Sequence, residues 1–185
     1  MNIILASASP RRTEILKENN IKHKVVPSTV KEIVDYTKTK EEIVKSLAYQ
    51  KAKDVSDQYP EDLIIGADTI VVIDNEILGK PKDEQDAIRM LSKLANNTHE
   101  VITGVAIITK DQTDIFAETS KVTFKKMTRS EILEYIHKEN VYDKAGSYAI
   151  QSKHANFIKQ VEGDYYNIVG LPINTLKTHL SKFDN

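Results

Sequence analysis

The chain has 185 residues, of which 40% are hydrophobic and 29% charged, and its formal net charge is −1. This balance is typical of a globular protein and excludes the strong basic field expected of a protein that binds a nucleic acid polymer. The absence of cysteine excludes disulfides, thiolate metal sites and cysteine nucleophiles. The first apolar run is too short for a signal peptide and no stretch reaches the length of a membrane span, so we expect a cytoplasmic protein without a membrane partner.

The N-terminal stretch combines ordinary turn chemistry with an unusual pair of cations. Residues 3–6 indicate a buried strand and residues 13–17 a helix, for which Ser9 is a good N-cap followed by proline. Arg11 and Arg12 lie in the first helical turn, where the helix dipole disfavours positive charge. Free backbone N–H groups and two guanidinium groups would bind an anion, most naturally a phosphate, but two solvated surface arginines explain the stretch equally well.

The next segment places two charged residues in different surroundings. A short strand is predicted at residues 23–27, and Glu32 follows in a loop, where a lone glutamate is usually solvated. A capping box at Thr39 opens a helix that should run to about Asp57. Lys51 falls in the middle of this helix, where most lysines face solvent.

Asp68 is the most informative acidic residue. Residues 63–67 predict a central strand that stops at Asp68 and Thr69 and resumes at residues 70–73. Because the chain is apolar on both sides of Asp68, its carboxylate should be partly buried and should need a cation, a hydrogen-bond network or a metal. A turn after Gly66, capped by Asp68, is the alternative.

The carboxylates also limit the choice of metal. If folding brings Glu32 close to Asp68, two oxygen ligands would suit Mg²⁺ or Mn²⁺ together with substrate phosphates. Nitrogen-rich and sulfur-rich sites are disfavoured, because the five histidines are dispersed and cysteine is absent. The sequence contains no P-loop, no dinucleotide-binding fingerprint and no Gly-x-Ser-x-Gly elbow.

The remaining pattern predicts an α/β fold with a mixed sheet, because hairpins alternate with helical crossovers. Sheets of this class bind ligands at strand ends. The predicted elements are a hairpin turn at 74–75, a helix at 83–94, a strand at 99–109 that returns antiparallel at 113–126, a helix opened by a capping box at Thr128, strands at 148–151 and 155–161, an irregular segment at 163–170 and a helix from Pro172 to about Leu180.

Three polar residues in loops and at strand ends are further candidates. Lys80 lies in a tight loop between glycine and proline, where its ammonium can be aimed at a ligand. Lys144 has a simpler interpretation as an ion pair with Asp143. Gln151 has a primary amide that could read the adjacent carbonyl and N3–H of uracil or thymine, although glutamines at strand ends are common.

Six short stretches carry a resemblance to a known family. They are SASPRR at 7–12, GADT at 66–69, GKP at 79–81, HEVITG at 99–104, DKAGSYAIQ at 143–151 and NIVGLP at 167–172. Each alone is a weak pattern, but together, in this order over nearly the whole chain, they resemble the Maf family of nucleoside triphosphate pyrophosphatases. The resemblance implies one domain over residues 1–185, with a Maf/ITPase-like fold: a mixed twisted central sheet flanked by helices, in two lobes around a cleft.

The resemblance also implies an activity and roles for individual residues. It implies hydrolysis of a nucleoside triphosphate to the monophosphate and pyrophosphate with a divalent metal, as house-cleaning of the nucleotide pool, in the subfamily that acts on dTTP and UTP. Asp68 matches the proton acceptor. Glu32, Lys51 and Lys80 match other polar site positions, and Asp68 with Glu32 would hold Mg²⁺ or Mn²⁺. The substrate-binding candidates are Ser7, Ser9, Arg11, Arg12, Thr69 and Gln151, of which Arg12, Thr69 and Gln151 match positions that tune base choice.

Two alternatives to this function stay open at this point. One is the same chemistry on 7-methyl-GTP or on a modified pyrimidine nucleotide. The other is a regulator of cell division that binds nucleotide without hydrolysing it, because the family has been linked to septum formation. We expect a small nucleotide as partner, and the resemblance adds the expectation of a homodimer.

Overall fold

A computed structural model describes residues 1–183, which form an α/β fold around a seven-stranded sheet. The strands are β1 (Ile3–Leu5), β2 (Lys24–Val25), β3 (Leu63–Ile73), β4 (Glu76–Leu78), β5 (Thr98–Ile108), β6 (Thr113–Phe124) and β7 (Ile158–Glu162). The helices are α1 (Pro10–Glu18), α2 (Lys40–Ser56), α3 (Glu84–Leu94), α4 (Arg129–Lys138), α5 (Tyr165–Val169) and α6 (Ile173–Leu180), with short 3₁₀ turns at Ala145–Ser147 and Ser181–Phe183.

The sheet is mixed, as the sequence predicts. Its strand order is β2-β1-β3-β5-β6-β7, and β4 pairs with β3. β1 pairs in parallel with β2 and β3, whereas the β3–β4 and β6–β7 pairs are antiparallel. Strands that are buried on both faces of a sheet are rich in apolar residues, which explains the apolar run of β1 and the two apolar runs of β3 on either side of Asp68 and Thr69.

The contacts within the chain divide it into two compact units. The first unit comprises residues 1–69, residues 102–118 and the chain from Tyr166, and the second comprises residues 70–101 and 119–165. That the whole chain forms one domain stays a prediction. No helix within residues 1–183 is long and apolar enough to cross a membrane.

The helix starts and the hairpin follow the local signals in the sequence. Thr39 and Thr128 both form complete capping boxes, each with a glutamate three residues later. Asp74 and Asn75 have φ of 49° and 63°, the left-handed conformations that a two-residue hairpin turn requires. Ser9 occupies the N-cap position of α1, but its side chain makes no capping hydrogen bond; its backbone N–H instead donates to Ser7 Oγ.

The interruption predicted in the central strand is wrong. β3 continues from Leu63 to Ile73 without a break, and Asp68 and Thr69 lie within it. The alternative of a turn capped by Asp68 is also wrong. A polar pair is tolerated in the middle of this strand because other side chains of the protein bind both residues, as described below.

The strand predicted at residues 148–151 is wrong as well. Gly146 and Ser147 both have positive φ, and the chain after them forms a turn in which Ser152 N–H donates to the carbonyl of Ala149. The Tyr148 ring is buried by aromatic neighbours rather than by strand pairing. The apolar residues at 148–150 therefore indicate that this part of the chain is buried or half-buried, but they do not indicate a strand.

The segment predicted to be irregular at residues 163–170 contains the short helix α5. Gly163 and Gly170 have φ of 99° and 130°, and they bracket it. The helix has five residues, too few to show a helical period in the sequence. The preceding strand, predicted from Ala155, begins at Ile158.

A buried histidine lies in the aromatic core of the second unit. His99 is 2% exposed, packs edge-on against Phe124 and Tyr148, and its Nε2 is 2.6 Å from the Tyr148 hydroxyl. Burial lowers the pKa of His99 to about 4 from its ordinary value of 6.5. The folded protein therefore holds this imidazole neutral across the range in which a solvated histidine takes up a proton.

This histidine predicts a loss of stability in mild acid. Between pH 6.5 and 4 the unfolded chain binds a proton at His99 that the folded chain does not, so the free energy of unfolding falls as the pH falls. From pH 7.5 to pH 5 we expect His99 to contribute about 2 kcal/mol of this loss. Chemical denaturation of the wild type and His99→Gln at both pH values isolates the contribution, and an equal loss in both proteins would contradict it.

Candidate active site

Asp68 is bound by a lysine of α2 on one face of β3. Lys51 Nζ lies 2.5 Å from Asp68 Oδ1, and the two side chains are only 18% and 16% exposed. Most lysines in the middle of a helix face solvent, and the family resemblance alone made Lys51 a site candidate; in the structure its ammonium faces Asp68. A partly buried carboxylate needs a partner of opposite charge, and here the ammonium of Lys51 is that partner.

Lys51 also brings Glu32 to the same place. Lys51 Nζ lies 3.2 Å from Glu32 Oε1, and the Glu32 side chain is 42% exposed. Two carboxylates from distant parts of the sequence thus converge on one ammonium. A role for Glu32 at the site requires proximity to Asp68, and the shared Lys51 ammonium brings the two carboxylates together.

The close approach of α2 to the sheet depends on two glycines. A Cβ atom on Gly66 of β3 would lie 2.4 Å from the carbonyl oxygen of Ala48, and one on Gly104 of β5 would lie 2.3 Å from that of Val44. Both contacts are with the backbone of α2, so the helix lies directly against two strands where they lack side chains. This packing determines the distance between Lys51 and the strand that carries Asp68.

The two carboxylates are the residues that could hold a divalent metal. Within residues 1–183, no group of three or more His, Cys, Asp or Glu side chains could do so. Mg²⁺ commonly binds to one or two carboxylates and completes its coordination with water and substrate phosphates. The convergence of Glu32 and Asp68 on one cation, the Lys51 ammonium, fits that oxygen-donor set.

Arg12 belongs to the opposite face of β3, because consecutive side chains of a strand point to opposite faces. It is 9% exposed, and its Nη1, Nη2 and Nε atoms donate to Ser7 Oγ at 3.0 Å, Thr69 Oγ1 at 3.0 Å and the carbonyl of Gly170 at 2.8 Å. The interpretation as a solvated surface residue is therefore wrong for Arg12. Burial lowers its pKa from the usual value, and the charge of Asp68 acts in the opposite direction.

A second threonine fixes the direction of the hydrogen bonds at Thr69. Thr103 Oγ1 donates to the carbonyl of Asn167 at 3.0 Å and lies 2.9 Å from Thr69 Oγ1. A hydroxyl group has one proton, so with the Thr103 proton used, Thr69 donates to Thr103. Thr69 also accepts from Arg12, which leaves it one lone pair and no proton for a ligand. The sequence did not identify Thr103 as a site residue, because a threonine within a predicted β-strand is ordinary.

For the other predicted site residues, the structure gives the position in the fold and the exposure of the side chain. Ser9 and Arg11 are half-buried at the start of α1 in the first unit. Lys80, after β4, and Gln151, in the turn at residues 150–151, belong to the second unit, and both are exposed. The predicted ion pair of Lys144 with Asp143 is present at 2.8 Å. The roles assigned to the first four residues stay predictions.

Comparison with known proteins identifies close relatives. A family model described as Maf-like protein matches residues 2–183. The chain is 48% identical to the dTTP/UTP pyrophosphatase of Bacillus cytotoxicus over 182 residues, which cover 98% of this chain and 95% of the relative. It is 47% identical to that of Geobacillus sp. (strain WCH70) over 172 residues, covering 93% and 92%. The solved structure of the Staphylococcus aureus Ham1 protein matches with a TM-score of 0.56 and 17% identity, covering 98% of this chain and 99% of that one, which shows a shared fold.

Proposed function

The chain belongs to the Maf family, and from that premise we propose that it is a nucleoside triphosphate pyrophosphatase that hydrolyses dTTP and UTP. The observation that carries the proposal is the convergence of Asp68, Lys51 and Glu32 within the first unit. A carboxylate held at a defined position can accept a proton from water, which a protein that only binds nucleotide does not need. The names of the relatives favour dTTP and UTP over 7-methyl-GTP.

The reaction is a displacement at the α-phosphorus. A water oxygen forms a bond to the α-phosphorus while its proton passes to the Asp68 carboxylate. The bond from the α-phosphorus to the oxygen that bridges to the β-phosphate breaks, and pyrophosphate leaves with that electron pair. Nucleoside monophosphate, pyrophosphate and one proton are the products.

The cations of the chain neutralise the charge of the triphosphate. Lys51 holds Asp68 in place at 2.5 Å and supplies one positive charge at the reacting centre. Arg11 and Lys80 are proposed to add charge along the phosphates, as phosphoryl transfer requires. Maf-family pyrophosphatases are generally metal-dependent. Mg²⁺ or Mn²⁺ held by Glu32 and Asp68 would polarise the phosphate and lower the pKa of bound water.

The hydrogen bonds around Arg12 support selection of an imide base. Ser7 Oγ accepts from Arg12 Nη1 and, at 3.2 Å, from Ser9 N–H, so its own proton is what it can offer a ligand. Thr69 offers a lone pair. This donor and acceptor match the carbonyl and N3–H that uracil and thymine share, whereas cytosine has a lone pair at N3. Gln151, whose primary amide both donates and accepts, is proposed as a further residue that selects uracil or thymine.

The proposal is tested by pyrophosphate release across a panel of UTP, dTTP, CTP, dCTP and 7-methyl-GTP with Mg²⁺ or Mn²⁺. UTP and dTTP should have the highest kcat/KM. In Thr103→Val the Thr69 hydroxyl is free to donate, and the preference for UTP over CTP should shrink by about tenfold, the value of one hydrogen bond. Thr103→Ser keeps the hydroxyl and serves as the control. A wild type that releases no pyrophosphate from UTP or dTTP would contradict the function.

Two finer expectations are part of the same proposal. We propose that the enzyme acts on the nucleotide pool of the cytoplasm and that it forms a homodimer. Light scattering coupled to size-exclusion chromatography measures the mass in solution against the 20.9 kDa of one chain.

A further inference from the structure

The segment that carries Glu32 packs against the core at its start, through Val26, but the large apolar residues that follow Glu32 are exposed. Residues 26–35, between β2 and the turn before α2, have no regular secondary structure. Ile33 and Tyr36 in and beside this segment are each 74% exposed. The position of the Glu32 carboxylate beside Lys51 therefore needs another explanation.

Two side chains of α2 bind this segment at two points. Asp54 Oδ2 accepts from Ser28 Oγ at 2.7 Å and from Thr29 N–H at 2.9 Å. Gln50 binds both backbone groups of Ile33: its Oε1 accepts from Ile33 N–H at 2.9 Å, and its Nε2 donates to the Ile33 carbonyl at 2.8 Å.

The geometry of α2 explains why these contacts act on Glu32. Gln50 and Asp54 are four residues apart, so they lie one helical turn apart on the same side of α2. Lys51 follows Gln50 directly, and Glu32 precedes Ile33 directly. The helix that supplies the ammonium thus also binds the backbone next to the carboxylate. The Gln50 amide is further oriented by its hydrogen bond to Ser46 Oγ at 3.1 Å.

We infer that Gln50 is a positioning residue for the active site: it holds Glu32 against Lys51 by binding both backbone groups of Ile33, and Asp54 secures the start of the same segment. The inference rests on the proposed function, because the consequence for catalysis depends on Glu32. Without the two bonds from Gln50, the backbone beside Glu32 would lose its bonds to α2, and the next ones toward β2 would be those of Asp54 at Ser28 and Thr29. The Glu32 carboxylate would then sample positions away from Lys51.

The test is a double-mutant cycle between Gln50 and Glu32, with pyrophosphate release from UTP as the readout. Gln50→Met has a side chain of similar length and makes neither hydrogen bond to Ile33. We expect it to lower kcat/KM by about 10- to 100-fold in the wild type, because two hydrogen bonds are lost and each is worth up to about tenfold, and to have no further effect in Glu32→Gln. Gln58→Met is the matched control: the Gln58 side chain donates to the Asp54 carbonyl within α2 and not to the segment that carries Glu32, so this variant should leave kcat/KM unchanged.

Amide hydrogen exchange tests the contact without turnover. Gln50→Met should accelerate exchange at residues 29–34, while Gln58→Met should not. An equal loss of kcat/KM in both backgrounds of the cycle, or no loss at all, would overturn the positioning role. A wild type without pyrophosphate release would instead refute the proposed function, so the two failures are distinguishable.

Discussion

Asp68→Asn should lower kcat for pyrophosphate release by about 10³-fold while the protein remains folded. The amide has the same shape as the carboxylate, and its oxygen can still accept a hydrogen bond from Lys51 Nζ. It cannot take up a proton from water, and removal of a general base typically costs 10²–10⁴-fold, so about 10³ is expected. Steady-state turnover of UTP and dTTP measures the effect, and thermal unfolding verifies the fold.

The control for Asp68→Asn makes the same chemical change on the surface. Asp57→Asn removes an exposed carboxylate that pairs with Lys53 at the end of α2, and it should leave kcat unchanged. Turnover of Asp68→Asn close to that of the wild type would contradict the role of Asp68 as base.

The second large effect is expected from a single methyl group between α2 and the sheet. In Gly104→Ala the added Cβ would lie 2.3 Å from the Val44 carbonyl oxygen and 2.7 Å from Lys45 N, so the helix backbone must move. Overpacking of this kind costs about 1–3 kcal/mol of the free energy of unfolding. The movement also carries Lys51 away from Asp68, so we expect kcat/KM to fall by more than tenfold, since a misplacement of about 1 Å can cost 10²-fold.

A third glycine provides the control for this prediction. A Cβ on Gly79 meets no atom within 4 Å and its φ is outside the left-handed region, so Gly79→Ala should change stability by less than about 1 kcal/mol. Urea denaturation and UTP turnover of both variants separate packing from activity. Equal stabilities for Gly104→Ala and Gly79→Ala would show that α2 does not depend on the glycine contact.

The elements that the sequence predicted correctly are those with local signals. The capping boxes at Thr39 and Thr128 and the turn at Asp74 depend on residues a few positions apart, and the structure has them where they were predicted. The failures have a different origin. Tyr148 is buried because aromatic rings from other elements cover it, and nothing in its local sequence distinguishes that burial from burial in a strand.

The sequence by itself therefore determined the fold class, the position of most helices and strands, and, through the six short stretches, the family. It also selected Asp68 as the most informative acidic residue, because a carboxylate with apolar runs on both sides should be partly buried and should require a partner. These conclusions depend on residue type and on short spacings, which are properties of the chain before it folds.

The tertiary structure decided which partner each polar group has. Lys51 binds Asp68 and Glu32 because glycines in β3 and β5 let α2 lie against the sheet, and Arg12 is buried because Ser7, Thr69 and Gly170 together satisfy it. These pairs join residues from 5 to 158 positions apart. Their energies arise only when packing removes water and fixes both groups, so no local pattern in the sequence reports them.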